Sequence, residues 1–315
     1  MNEKLYSVSS SPHIRNNDST AKIMLKVIIA LIPTSAAGVY FFGMRALLIL
    51  LFSTGCAVFF EALWCFLTKK DMSIGDLSAA VTGLLLGLNV SSATPLWAIV
   101  FGNAFAIIIV KQLFGGLGHN FMNPAMSARV FMLICWPATL TIFPKPLQGV
   151  DAVSSATFLS GGEVPSYLNA FLGNMDGCIG EVSALAIIIG GVYLICAKVM
   201  KPDIPVIYIG TMFIITTLAG EDGLLHILSG GLMIGAFFMA TDYVTSPVSR
   251  KGKIIYGIGC GVVTSVIRLW GGYPDGVSFA ILLMNAATQL IDKATMPRKY
   301  GAVSGKGSKN VKTNN

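Results

Sequence analysis

The run Asp151-Ala152-Val153-Ser154-Ser155-Ala156-Thr157 places one carboxylate and three hydroxyls among short side chains within seven residues. A hydroxyl in an exposed segment with small neighbours can reach a phosphorus centre held by another enzyme and become a phosphoester. A nearby carboxylate suits such a transfer, because carboxylates are natural magnesium ligands beside phosphates. The same Ser/Thr-Ala string is also ordinary turn chemistry, so at the level of these residues both readings stand.

A second constellation is Thr241-Asp242-Tyr243-Val244-Thr245-Ser246-Pro247. Asp242 with the hydroxyls of Thr241, Thr245 and Ser246 forms an oxygen set suited to a sodium ion or to the polar atoms of a cofactor. A helix end with hydroxyl-rich turn chemistry uses the same residues. Asn123-Pro124 is similarly double: the Asn123 amide can bond backbone freed by a helix break, and Pro124 suits a first helical position. Lys26, Glu61, Arg129 and Asp242 stand out among the ionisable groups in or beside apolar runs, where such groups are costly and tend to be functional. Lys26 and Glu61 stand near run ends, where snorkelling gives them a structural anchoring role.

No catalytic acid–base set and no metal site are expected. His13, His119 and His226 have no partner at metal spacing. Cys56, Cys65, Cys135, Cys178, Cys196 and Cys260 include no CxxC and read as small hydrophobes. No dinucleotide fingerprint or iron–sulfur ligand set occurs.

The elements that must position these residues are set by the solvent. Of 315 residues, 54% are apolar and 12% charged, against roughly a quarter charged in an average soluble domain. Apolar runs near 23–42, 46–67, 74–90, 96–114, 125–143, 183–199, 204–219, 224–241, 254–270 and 277–292 recur at about the 20-residue length a bilayer demands. The expectation is an all-α membrane protein with about ten transmembrane helices. Residues 1–22 are polar and hold no cleavable leader pattern, which reads as a cytoplasmic N-terminal segment. The Gly-, Ser- and Lys-rich tail 293–315 is expected to be disordered.

Charge fixes the orientation, since Lys and Arg collect in cytoplasmic loops. With the N-terminus inside, the inner segments hold Lys4, Arg15, Lys22, Lys69, Lys70, Lys111, Lys198, Lys201, Arg250, Lys251, Lys253, Lys293, Arg298, Lys299, Lys306, Lys309 and Lys312, and the outer loops hold only Arg45, Lys145 and Arg268. Both termini are then cytoplasmic. The long loop 144–182, with its hydroxyl-rich run, faces outward beside acidic residues such as Glu181, Asp222 and Asp275. The four Trp residues fall near run ends, where interfacial belts place them.

Two stretches answer each other: TGLLLGLNVSSATP at 82–95 and GGLMIGAFFMATDYVTSP at 230–247, with FGG at 114–116 and WGG at 270–272. The offsets suggest two five-span repeats, 23–143 and 183–292, and an odd number of spans makes the second inverted. Paired Gly-interrupted spans are the pattern of helices broken within the membrane; glycines also simply let helices approach closely.

The 151–157 run resembles the flavinylation motif Asp-x-x-Ser/Thr-Gly-Ala-Thr/Ser, in which the last hydroxyl carries FMN. Asp151, Ser154, Ala156 and Thr157 match it, and Ser155 stands where the motif has Gly. Together with GGLGHNFMNPA at 115–125, TDYVTSP at 241–247 and WGGYPDGVSFAILLMN at 270–285, the chain resembles the RnfD/NqrB family over about residues 15–292. Its length favours the RnfD branch. The resemblance implies a urea-transporter-like fold of inverted five-helix repeats in the cell membrane, FMN esterified to Thr157 on the outer face, and a second, non-covalent flavin such as riboflavin as an open question. It implies electron relay between ferredoxin and NAD coupled to Na+ or H+ export. The implied partners are other Rnf subunits, including a second covalent-flavin subunit and membrane subunits that leave NAD and ferredoxin to bind elsewhere, and a flavin transferase for maturation. No nucleic-acid partner is expected. A passive channel of the same fold is the competing class, and it has no use for a flavinylation string.

Overall fold

The computed structural model describes residues 19–70, 72–147, 154–155, 159, 164–272 and 275–296. Each of the ten apolar runs coincides with helix. The first segment holds α1 (Thr20–Phe42), α2 (Met44–Thr68), α3 (Ser78–Leu88), α4 (Leu96–Ala104, continued as a π-helix over Phe105–Gln112), α5 (Pro124–Cys135) and the short α6 (Pro137–Leu140). The second holds α7 (Tyr167–Leu172), α8 (Ala184–Cys196), α9 (Asp203–Leu218), α10 (Gly223–Leu228), α11 (Leu232–Ile234, continued as a π-helix over Gly235–Met239), α12 (Arg250–Trp270) and α13 (Val277–Thr295). Hydroxyl and amide caps start several of them: Ser19, Asn123, Ser183 and Ser249 each accept an N–H from the first turn, which satisfies a donor the helix cannot.

Three helices, α1, α2 and α12, are long and apolar enough to cross a membrane, and α3, α4 with its π-turns, α5, α8 and α9 are shorter apolar helices. Large apolar side chains such as Leu51, Phe66, Val206 and Val266 are exposed on these helices, as expected of faces that meet lipid. The chain is a membrane protein.

Three of the expected runs are interrupted. The run 125–143 stops at Cys135, because Pro137 has no N–H to continue the ladder. The run 74–90 stops as helix at Leu88, with Gly83 and Gly87 inside α3 and packed against α2, and the run 224–241 is broken at Ser229–Gly231. Helix α3 has 11 residues, about 16 Å at 1.5 Å per residue, half the hydrocarbon thickness. Its end is closed from outside the helix: the Asn89 amide donates to Leu85 O (2.7 Å), while Gly180 N–H and Ile179 N–H donate to the carbonyls of Leu88 (2.7 Å) and Val90 (3.0 Å). A Cβ at Gly180 would stand 2.7 Å from Leu88 Cβ, so only glycine lets the loop come this close. Between α10 and α11, Gly230 takes φ +69°. There the freed carbonyls of His226 and Ser229 accept from the Arg268 guanidinium, and Gly231 N–H donates to Asp275 Oδ1 at 3.0 Å. Irregular backbone survives in an apolar medium only when every polar group finds such a partner.

Within the first segment α2 packs on α3 and α4, and within the second α9 and α13 pack on α12; α1 against α8 and α5 against α13 join the two. A two-residue antiparallel ladder pairs β1 (Phe143–Pro144) with β2 (Ser154–Ser155), in the register Phe143↔Ser155 and Pro144↔Ser154.

Burial corrects three readings of charge. Glu61 does not snorkel: it is 0% exposed and holds Lys111 Nζ at 2.7 Å. Lys111, counted as a cytoplasmic loop charge, is buried in the π-helical end of α4, and Arg268, counted in an outer loop, is buried in α12. In each case the charge is compensated by a partner on another element, which a linear count cannot register.

Candidate functional site

Two cavities lie at opposite ends of α3 and α5. The large one, about 770 Å³, lies at their C-terminal ends and is walled by Leu133, Pro137, Leu140, Phe143, Phe279 and polar residues including Lys145, Asn169, Asn174 and Ser229. Phe143 belongs to β1, so the ladder to Ser154–Ser155 runs along its rim, and Leu159 also lines it. Asp151, Ala156 and Thr157 lie outside the described residues, and of Ser154 only the backbone pairing is described. Thr157 is two positions along the chain from Ser155 on one side and from Leu159 on the other.

An ion cluster forms the floor of this cavity. Arg129, on α5, donates to Asn89 Oδ1 (2.7 Å) and Glu181 Oε1 (3.0 Å) and faces Asp275 Oδ2 at 3.1 Å. Arg268 meets Asp275 Oδ1 at 3.3 Å and the Asp275 carbonyl at 2.9 Å. Two guanidinium groups thus balance two carboxylates. Gly231 leaves the space they fill, since a Cβ there would stand 2.9 Å from Glu181 Oε1 and 3.3 Å from Arg129 Nη1. Sequence reading singles out Arg129 alone and assigns Glu181 and Asp275 to the solvent. The available signal is Arg268 and Asp275 flanking the WGG turn, opposite the Gly230–Gly231 break.

The small cavity, about 100 Å³, lies at the N-terminal ends of α3 and α5, lined by Ser78, Thr82, Lys111, Asn120, Asn123, Thr241 and Asp242 among others. Asn123 serves both of its sequence readings. It caps α5 through Met126 N–H (3.2 Å) ahead of Pro124, and its amide reaches Met239 O (3.4 Å) at the end of the second broken run. Asp242 accepts from Thr245 Oγ1 at 3.2 Å and from Val244 N–H at 3.4 Å. The structure therefore brings Asp242, Thr245 and Asn123 together at the cavity opposite the one that the Ser154–Ser155 ladder borders.

The volume of the large cavity falls within the roughly 300–1,000 Å³ of small-molecule and cofactor sites. Apolar and aromatic walls with scattered amides suit a planar ring system with polar edges, and Lys145 at its side suits a phosphate. The four charges of the floor are mutually satisfied, so they hold the floor in shape.

Comparison with known proteins agrees with this architecture. Residues 7–301 match the model of the NQR2, RnfD, RnfE family. The D subunit of the Na(+)-translocating ferredoxin:NAD(+) oxidoreductase complex of Acetobacterium woodii is 51% identical, over 96% of this chain and 97% of the relative. The D subunit of the proton-translocating ferredoxin:NAD(+) oxidoreductase complex of Clostridium ljungdahlii is 42% identical over 95% and 97%. The D subunit of an ion-translocating oxidoreductase complex of Stutzerimonas stutzeri is 39% identical over 90% and 92%. With most of its length matched both by the family model and by relatives well above 30% identity, the chain belongs to the NQR2, RnfD, RnfE family.

Proposed function

We propose that this chain is the membrane flavoprotein subunit of an ion-translocating ferredoxin:NAD oxidoreductase complex, carrying FMN esterified to Thr157 at the mouth of the large cavity. The observation that carries the reading is the position of the motif's described neighbours: Ser154–Ser155 are tied to β1 on the cavity rim, and Leu159 is part of its wall. A flavin bound there would supply one-electron transfer to neighbouring redox centres of the complex. The chain's own residues have the tasks of placement. Phe143, Leu133, Leu140 and Phe279 offer apolar faces for the ring, Asn169 and Asn174 offer hydrogen bonds to its edge, and Lys145 balances the phosphate. Arg129 and its partners hold the floor rigid, so the ring keeps one distance to its redox neighbours.

The topology that goes with this reading is ten crossings in two inverted repeats, 23–143 and 183–292, urea-transporter-like, with both termini cytoplasmic and the 144–182 loop on the outer face. The end of α3 at Leu88 and the end of the helix continuing α11 at Met239 fall within a few residues of each other at the repeat offset, and support it. Asp242, with Thr245 and Asn123, is the candidate contact for the translocated ion on the opposite side. Relatives are described with either Na+ or H+ as that ion. The other components of the complex, a second covalent-flavin protein among them, are its partners, and a flavin transferase matures it.

The test is Thr157→Ala, made in cells that contain the transferase. In-gel flavin fluorescence of the denatured polypeptide is expected to vanish while the chain still assembles into the complex. Thr157→Ser, which keeps the nucleophilic oxygen, retains part of it. Fluorescence persisting in Thr157→Ala would place the flavin on another residue and remove this reading of the loop.

A further inference from the structure

The small cavity holds two charges of opposite sign that belong to different pairing schemes. Asp242 and Lys111 both line it. Asp242 has the two weak neutral donors described above and, among the described residues, no ion-pair partner. Lys111 Nζ is committed elsewhere, to Glu61 Oε1 at 2.7 Å and Ser78 Oγ at 2.6 Å.

Glu61 is not part of the cavity wall. It sits behind Lys111 on α2, 0% exposed, and the same Oε1 also accepts from Ser73 Oγ (2.8 Å) and Gln112 Nε2 (2.9 Å), while Oε2 has no partner. The pair therefore presents its ammonium end to the cavity and keeps its carboxylate end away from it. The π-turns over Phe105–Gln112 make this possible by bringing the adjacent residues Lys111 and Gln112 onto one carboxylate, a use typical of such irregular turns.

A space of about 100 Å³ holds roughly three waters at about 30 Å³ each, enough for one small cation with part of its hydration shell. Buried charges are little screened by salt. A cation entering the cavity is drawn by the uncompensated Asp242 and opposed by the fixed ammonium of Lys111.

We infer that Lys111 is the tethered counter-charge of a monovalent-cation site at Asp242, held in place by Glu61, and that it sets the site's affinity low enough for the ion to leave. This rests on the reading of Asp242 as an ion contact. Asp242 supplies attraction, and the Lys111–Glu61 pair supplies a fixed opposing field. Transport needs both, because a site that binds its ion too tightly does not release it.

The test uses the purified whole complex, with Na+ as the probe and ferredoxin-to-NAD electron flow titrated against it at constant pH. Glu61→Gln/Lys111→Met removes both charges together, so neither is left buried alone, and Gln keeps an acceptor for Ser73 and Gln112. The half-saturating Na+ concentration is expected to fall about tenfold in this double variant. Glu61→Gln/Lys111→Gln is the second variant should the first assemble poorly; the stoichiometry of the complex and its covalent flavin content report assembly. An unchanged Na+ dependence in the assembled double variants, with a shifted one in Asp242→Asn, overturns the role of Lys111 and leaves that of Asp242. A Na+ dependence that is absent, or unmoved by all of these substitutions, removes Asp242 as the ion contact and the inference with it.

Discussion

Removing the guanidinium of Arg129 puts the floor of the large cavity to the test. In Arg129→Met the side chain keeps its reach but loses every donor. Asn89 Oδ1 then loses a 2.7 Å bond and Glu181 Oε1 a 3.0 Å bond. Asp275 is better protected: it is 22% exposed, keeps Arg268 at 3.3 Å and still accepts from Gly231 N–H at 3.0 Å. The cost therefore concentrates on Glu181, which is 4% exposed and retains only a 3.4 Å bond from Cys178 N–H to its other oxygen. Breaking a buried pair costs about 3–5 kcal/mol; with Asp275 still compensated, the lower end, about 3 kcal/mol, applies. At roughly 2 °C per kcal/mol for a chain of this size, Tm falls by about 6 °C. The assay is thermostability of the full-length chain in detergent by fluorescence-detected size exclusion, all variants at one heating rate. Arg129→Met/Glu181→Gln no longer leaves a buried carboxylate and should recover about 2 °C or more, a coupling of about 1 kcal/mol, as contacting residues show. A single variant within about 1 °C of the parent, or a double variant worse than the single by the full Glu181→Gln effect, would refute the placement of the cost on Glu181.

Gly83→Ala should destabilise by about 1–3 kcal/mol and lower the yield of folded protein, since its Cβ would stand 2.7 Å from both Ala57 Cβ and Ser53 O on α2. Gly55→Ala, on α2 with nothing within 4 Å, is the control and should stay within about 0.5 kcal/mol. A cysteine at position 160 should label from outside intact cells while one at position 249 should not; labelling of the second alone would reverse the orientation. The bond from Tyr167 Oη holds the half-buried Asp222 carboxyl below its usual range, helped by the N–H groups of Leu225 and Leu224. A depressed carboxylate pKa stabilises above the unfolded value, near 3.9, and its contribution is lost as pH falls through the folded one. Below about pH 4, α7 should therefore be held less firmly on α10, its apolar contacts through Ala170, Leu225 and Leu228 remaining, seen as faster proteolysis at 164–172, and Asp222→Ala should show the same susceptibility at pH 7.

Hydropathy makes the helices legible because each apolar run must find its own place out of water, and runs such as 23–42 and 204–219 match α1 and α9 to within a few residues. Gly230–Gly231 point to the break before α11, whereas Gly83 marks the close approach of α3 to α2. What closes that break is not legible. Arg268 and Asp275 reach Ser229 and Gly231 from about 40 residues away in the chain, and Glu61 meets Lys111 across 50. In a count of loop charges Arg268 and Lys111 look like solvent-facing cations, because charge type is local and its compensation is tertiary. Asp242 and Asn123 illustrate the intermediate case: each stands out in the sequence by itself, and only the packing of the two segments puts them on one cavity.

The half-height of α3 bears on how the chain enters the membrane at all. Eleven helical residues are too few for an independent span, since insertion needs about 20 apolar residues and an unsatisfied backbone group in the apolar layer costs several kcal/mol. The carbonyls of Leu88 and Val90 are closed by Gly180 and Ile179, residues the ribosome adds some 90 positions later. Until that loop has been synthesised, the carbonyls of Leu88 and Val90 lack these partners. The final seating of α3 is therefore expected to wait for residues 179–180, and a chain halted before residue 179 is expected to leave it more open to proteolysis.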